Sequence, residues 1–199
     1  DEVVTGFGRM GHFFASEDVF EVVPDILTAA KGFTSGYIPA GLTAISERLH
    51  QDIIDKSGES ATFSMGFTYS GHPVAMAAAL KNIEIMERDN IMQHARDTGD
   101  YFQERLNSLA DMPMVGDTRG VGLMGCIECV ESKTSKKRFD DELSVGKMID
   151  EKCQANGLIL RPMWSLCVFS PPLIITKAQV DDMFDIMGKA IQETADELV

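Results

Sequence analysis

The chain has 199 residues, enough to bury a sizeable core in one or two domains, and its 44% hydrophobic and 25% charged content is that of an ordinary soluble globular protein. Lys+Arg 18 against Asp+Glu 31 gives a formal net charge of -13, which repels phosphate backbones and anionic lipid surfaces. No uninterrupted apolar stretch approaches the roughly 20 residues of a membrane helix and no signal-peptide pattern opens the sequence, so a cytoplasmic location is expected, with neither nucleic acid nor membrane as partner.

Asp1-Glu2-Val3-Val4-Thr5 reads as the end of a buried strand, and the sequence opens there without an initiator methionine. The chain is therefore expected to be the later part of a longer polypeptide whose earlier part supplies neighbouring strands. Thr5-Gly6-Phe7-Gly8-Arg9-Met10-Gly11 is a glycine-rich turn that neither follows the dinucleotide spacing nor carries a Gly-Lys-Ser/Thr phosphate signature. Asp25 to Gly32 is an apolar run bounded by Pro24, read as a buried strand of a parallel sheet that delivers Lys31 at its end, where ligands of such sheets sit. A lysine emerging there is partly desolvated, which favours the neutral amine and Schiff-base chemistry; the alternative is a strand-terminal lysine whose stem packs while its charge reaches water. Asp1, at the end of another strand, is either a carboxylate facing the same crevice or an ordinary turn aspartate.

Gly32 to Gly41 is rich in turn formers, Leu42 to Ile45 alternates like a strand, and Glu47 to Asp55 is helical. A helix is expected from Pro73 to Arg88, with Met76, Leu80, Ile83 and Glu87 on one face. Thr68 and Ser70 then lie just before a helix N-terminus, where they either assist phosphate binding or simply cap the helix. His72, beside Pro73 and without an acidic neighbour, reads as structural.

Composition changes near Asp89-Asn90, dividing the chain into residues 1–89 and 90–199. Ile91, Ala95, Phe102, Leu106 and Leu109 mark an amphipathic helix, and Arg119 to Val130 reads as one strand. On that strand the odd spacing of Cys126 and Cys129 sends their thiols to opposite faces, and all four cysteines read as packing residues. Lys133 to Arg138 is a basic loop, and a helix through Val145, Met148, Ile149 and Cys153 stops at Asn156-Gly157. Leu158 to Pro162 and Leu166 to Phe169 form two strands, and Thr176 with Gln179 is the capping box of a final helix.

Asp1-Glu2-Val3-x-x-Gly6-Phe7-Gly8-Arg9, Pro24-Asp25-x-x-Thr28-x-Ala30-Lys31-Gly32 and Phe67-Thr68-x-Ser70-Gly71-His72-Pro73 together resemble the signature of class III pyridoxal-phosphate aminotransferases. Arg119-Gly120-x-Gly122-Leu123-Met124 and Ser170-Pro171-Pro172-Leu173-Ile174-Ile175-Thr176 extend the resemblance to the C-terminus. It implies an α/β fold of type I, with residues 1–89 forming the carboxyl-side part of a large, mainly parallel-sheet cofactor domain and residues 90–199 a small α+β domain. It further implies that Lys31 holds pyridoxal 5'-phosphate as an internal aldimine and moves the proton in catalysis, and that Asp1 pairs with the pyridine nitrogen. Val4, where many members carry glutamine, lies at the cofactor, and Phe67 and Thr68 contact the phosphate of the other subunit, so the active form is at least a homodimer. Arg161 would clamp the carboxylate of a keto-acid acceptor such as pyruvate; its alternative is a domain-surface arginine. The substrates implied are an ω-amino donor and pyruvate. The alternatives are an aminomutase, a dialkylglycine decarboxylase, or a non-catalytic fragment that needs an amino-terminal half carrying the Gly-Ser phosphate loop and the ring that stacks on the cofactor.

Overall fold

Ile26–Ala29, too short to be more than one side of a ribbon, forms β1 and pairs antiparallel with β2, Leu42–Ile45, in the register Ile26 to Ile45 and Ala29 to Leu42. The computed structural model describes residues 1–58, 62 and 64–198, and they fall into two compact units, Asp1–Met92 and Gln93–Val199. Around residues 25–32, where a strand of a mainly parallel sheet is expected, the partner that β1 has among the described residues is β2, and that pair, like every strand pair among them, is antiparallel. β1 and β2 are joined by a short connection that holds only the 3-10 turn Lys31–Phe33, with no helix to carry the chain back for a parallel return. Nor is β1 buried as expected, since Ile26 is 57% exposed and only Ala29 is shielded.

The first unit also differs from expectation at its start, where residues 3–5 already belong to the glycine-rich turn expected from Thr5 and the Glu2 N–H reaches β1, donating to the Thr28 carbonyl at 2.7 Å. Phe7 is buried at the centre of an aromatic group with Phe13, Phe14 and Phe33, and α1 is the single turn Ala15–Asp18. α2, Glu47–Ser57, starts on Ser46, whose hydroxyl accepts from the Leu49 N–H as an N-cap should. α3 runs from Pro73 to Arg88 as predicted, but its buried face is Ala75, Ala79 and Met86, not the stripe through Leu80, which is 69% exposed. Small side chains let that face lie close against the 3-10 turn at Lys31–Phe33, so close backbone approach, rather than bulk, selects the inward face.

The second unit is built on α4, Ile91–Asn107, whose Ala95, Phe102 and Leu106 are fully buried. The strand expected from Arg119 to Val130 is instead a hairpin, β3 Val115–Val121 and β4 Met124–Ser132. Gly122 turns the chain at φ +57, a conformation that favours glycine. A two-residue strand β5, Lys137–Arg138, forms within the expected basic loop and pairs with β4. α5, Val145–Ala155, ends at Asn156 with Gly157 at φ +90. β6 and β7 span Arg161–Met163 and Leu166–Phe169, and α6 spans Lys177–Leu198. The sheet order is β3-β4-β7-β6, and the capping box is formed: Gln179 N–H donates to Thr176 Oγ1 at 3.3 Å while Thr176 N–H donates to Gln179 Oε1 at 3.0 Å.

Along β4 burial alternates, with Cys126 half-buried and Cys129 fully buried, so the two thiols do face opposite sides. Burial pushes the Cys129 and Cys153 thiols up to about 12 and Cys167 well above its ordinary value, which makes these three inert packing groups. The core between sheet and helices centres on Phe102, whose ring packs edge-on against Phe184 at 5.1 Å and Phe169 at 6.4 Å. Phe102→Ala is expected to cost about 3–5 kcal/mol, read as a fall in the urea midpoint of the full-length protein, because the ring is wholly buried and the cavity cannot fill with water. No described helix is long and apolar enough to cross a membrane.

Candidate active site

The Asp1 turn is fastened by the residue beside it. Glu2 is 2% exposed, and its carboxylate accepts from the Ser16 N–H at 2.6 Å, from the Ser16 hydroxyl at 2.5 Å and from the Thr5 hydroxyl. Burial by itself pushes this carboxyl up, but the Ser16 and Thr5 hydroxyls and the Ser16 and Ala15 N–H groups outweigh it and hold the group below its ordinary value. The Glu2 carbonyl also accepts from Gly6 N–H at 2.9 Å, closing the turn, while its own N–H is on Thr28. Asp1 therefore stands one residue from a point tied to β1. Its side chain is exposed and its Oδ1 accepts from Val3 N–H at 2.8 Å. Val4, on the same turn, is 43% exposed.

β1 leads three residues past Thr28 to Lys31, which opens the 3-10 turn with φ 44. A lysine in the left-handed region costs about 1–2 kcal/mol, so its surroundings must hold it there. One reason is visible at the next residue: a Cβ on Gly32 would meet the Phe7 Cβ at 2.8 Å and the Phe7 carbonyl oxygen at 3.2 Å. The Asp1–Gly11 turn and the Lys31 turn are thus joined at two places, through Glu2 to Thr28 and through Phe7 to Gly32. Among the described residues Lys31 makes no ion pair, and it is exposed, so the dry setting expected for it is not provided by this chain's own residues.

Phe67 and Thr68 lie in a turn ahead of α3 and both are exposed, Phe67 by 76%. Ser70 does not cap the helix as the simpler reading supposed: its hydroxyl accepts from Phe67 N–H at 3.1 Å. The residue at the cap position is His72, with no side-chain hydrogen bond to the first turn, and its ring meets Tyr69 edge-on at 6.0 Å. Among the described residues, then, no cap side chain satisfies the first turn of α3.

In the second unit Arg161 opens β6 and lines a groove of about 860 Å³ with Leu160, Phe169, Pro172 and Ile174. It is exposed, and among the described residues no carboxylate pairs with it. Two residues that sequence reasoning passed over are Glu2 and Asn82. A hydroxyl three residues from Glu2 was the only local sign of its cage, and nothing near Asn82 announces its contacts with residues 32 and 33.

The class-III aminotransferase family model matches residues 1–191, and the chain belongs to that family. It is 41% identical over 196 residues to the putrescine–pyruvate aminotransferase of Pseudomonas aeruginosa, covering 98% of this chain and 42% of that protein. It is 38% identical over 194 residues to gamma aminobutyrate transaminase 1, mitochondrial, of Solanum lycopersicum, covering 98% of this chain and 38% of that protein. The PMP-bound aminotransferase structure from Vibrio fluvialis superposes with a TM-score of 0.93 at 37% identity, over 100% of this chain and 44% of that one. The fold is that of the corresponding part of these transaminases, and the chain spans less than half the length of the curated relatives it matches.

Proposed function

We propose that these residues are the carboxyl-terminal part of a pyridoxal-phosphate-dependent transaminase that moves an amino group from an ω-amino compound to pyruvate. The observation that carries this reading is the coupling of the Lys31 turn, strained and bearing an unpaired amine, to the turn that bears Asp1. The residues present fit the cofactor that the family implies: a primary amine without an ion pair among the described residues, a carboxylate on an adjoining turn, and a threonine in the turn that precedes the uncapped start of α3. When bound, pyridoxal 5'-phosphate supplies an electron sink for the pair released at the substrate carbon. The Lys31 amine would hold the cofactor and, when free, would take a proton from the substrate carbon and return it. Asp1 would keep a proton on the pyridine nitrogen, and Val4 would belong to the same cofactor site. Thr68 and the Phe67 backbone would bind the phosphate of a cofactor held by a partner subunit, a role that needs at least a homodimer. Residues 1–89 belong on this reading to the cofactor domain and 90–199 to the small domain.

An ω-amino donor suits both curated relatives above, since putrescine and γ-aminobutyrate each carry a terminal amine. Supplying the full-length enzyme with putrescine and pyruvate tests the assignment: alanine should accumulate with consumption of the diamine. Carbon dioxide and a ketone formed from an α,α-dialkyl amino acid as pyruvate becomes alanine would indicate the decarboxylase instead, and amine migration without a keto acid the mutase.

Arg161 is read as the acceptor clamp, because a guanidinium beside apolar walls, with no acidic partner of its own, presents two parallel donors to a planar carboxylate. Charge-assisted hydrogen bonds of this kind contribute about 1.5–3 kcal/mol, so Arg161→Ala should raise the KM for pyruvate roughly 10- to 100-fold while altering that for a simple amine little. Equal change in both constants would remove Arg161 from the acceptor site.

A further inference from the structure

Lys31 is held in a backbone conformation that a lysine does not choose, and the restraint extends beyond the Phe7 contact. Fifty residues later in the sequence, in the middle of α3, the Asn82 side chain reaches back to the same turn. Its amide nitrogen donates to the Gly32 carbonyl at 2.8 Å and to the Phe33 carbonyl at 3.2 Å. The opposite amide orientation would set oxygen against two carbonyl oxygens, so the bonding chemistry fixes which way the group faces. These two carbonyls follow Lys31 directly, and the turn's own bonds, Phe33 N–H to Ala30 O at 3.0 Å and Thr34 N–H to Lys31 O at 3.3 Å, run through the same few atoms. The Gly32 backbone is thereby gripped from two sides, by Phe7 and by Asn82.

We propose that Asn82 is a positioning residue for the Lys31 amine: by clamping the Gly32 and Phe33 carbonyls it keeps Lys31 at its left-handed φ and so aims the side chain. The inference rests on the reading of Lys31 as the cofactor-bearing lysine. It accords with the inward face of α3, on which Asn82 lies between Ala79 and Met86 with the Met86 sulfur 3.5 Å from its amide nitrogen, while Leu80 is left outside. Misplacing a reacting group by about 1 Å can cost on the order of 100-fold in rate, so the loss of two backbone anchors should be visible in the chemistry of the amine itself.

The test uses full-length apoenzyme at 25 °C, comparing the wild type with Asn82→Leu, which keeps the branched side-chain skeleton and deletes both donors, and Asn82→Asp, which sets acceptors against the carbonyls. Pyridoxal phosphate is mixed in and the growth of the Schiff-base absorbance is followed; independently, hydrogen exchange is read at the amides of residues 33 and 34. Both variants should capture the cofactor roughly 10-fold more slowly or worse, with faster exchange confined to this turn, and kcat should fall with little change in the donor KM. Capture at the wild-type rate by folded variants overturns the proposal, as does exchange that quickens throughout the first unit without favouring this turn. A Lys31→Ala control separates the two levels: if cofactor capture survives that change, the reading of Lys31 fails; if capture is lost there but untouched in both Asn82 variants, only the Asn82 inference fails.

Discussion

Lys31→Ala in the full-length enzyme should abolish the covalent cofactor adduct that borohydride fixes, and lower turnover by about 10⁴-fold or more, because on the proposed reading one amine serves as both attachment point and proton carrier. The expectation is specific to this lysine for geometric reasons. Lys31 follows β1 and starts a turn whose next residue cannot bear a side chain without meeting Phe7, so the amine is delivered from a fixed backbone and not from a mobile loop. The other lysines of the first unit sit on helices away from this turn: Lys81 of α3 pairs with Glu84 at 2.6 Å, and Lys56 lies in the last turn of α2. Peptide mapping of the reduced adduct checks the assignment directly, and a label on any lysine other than 31 would sink it. Retention of the fold is expected, since the Lys31 side chain is exposed and anchors nothing among the described residues.

How much of this was legible in the sequence depended on the range of the interactions involved. Local signals read well: Pro73 at the start of α3, the Thr176–Gln179 box and the Asn156-Gly157 stop all act within a few residues of themselves, and each lies where its own chemistry puts it. Failures came where a partner distant in sequence decides. The face of α3 was misread because apolar periodicity favours Leu80, whereas the contact with residues 31–33 demands small side chains. The Arg119–Val130 stretch was read as a single strand because Gly122-Leu123 carries none of the Asn-Gly or Asp-Gly chemistry that marks the tightest hairpins. An apolar run likewise indicates a strand but not the orientation of its neighbour, and the neighbour that follows β1 in this chain, β2, runs antiparallel to it. Among the candidate site residues, Lys31 and Asp1 stand out by residue type and motif, while the groups that hold their turns do not. Glu2 is recognisable only once Ser16 is seen above it, and Asn82 only once α3 has folded back.

Asp1→Asn should leave the cofactor bound yet cut turnover about 10²- to 10³-fold, the loss typical when one preorganised charge is removed from a site while its shape is kept. Asparagine can still offer an oxygen to the pyridine nitrogen, but it cannot favour the protonated ring, and an unprotonated ring is a poorer acceptor for the electron pair released at the substrate carbon. The carbonyl oxygen of asparagine can replace Asp1 Oδ1 as acceptor for the Val3 N–H, and the Glu2 cage and its bond to Thr28 are untouched, so the turn should keep its course. For that reason the effect ought to appear in kcat and in the cofactor's absorbance, with the melting temperature nearly unchanged. A fall in thermal stability equal to that of Glu2→Ala, with turnover per folded site preserved, would instead make Asp1 a structural member of the turn and leave the ring nitrogen without its partner in this chain.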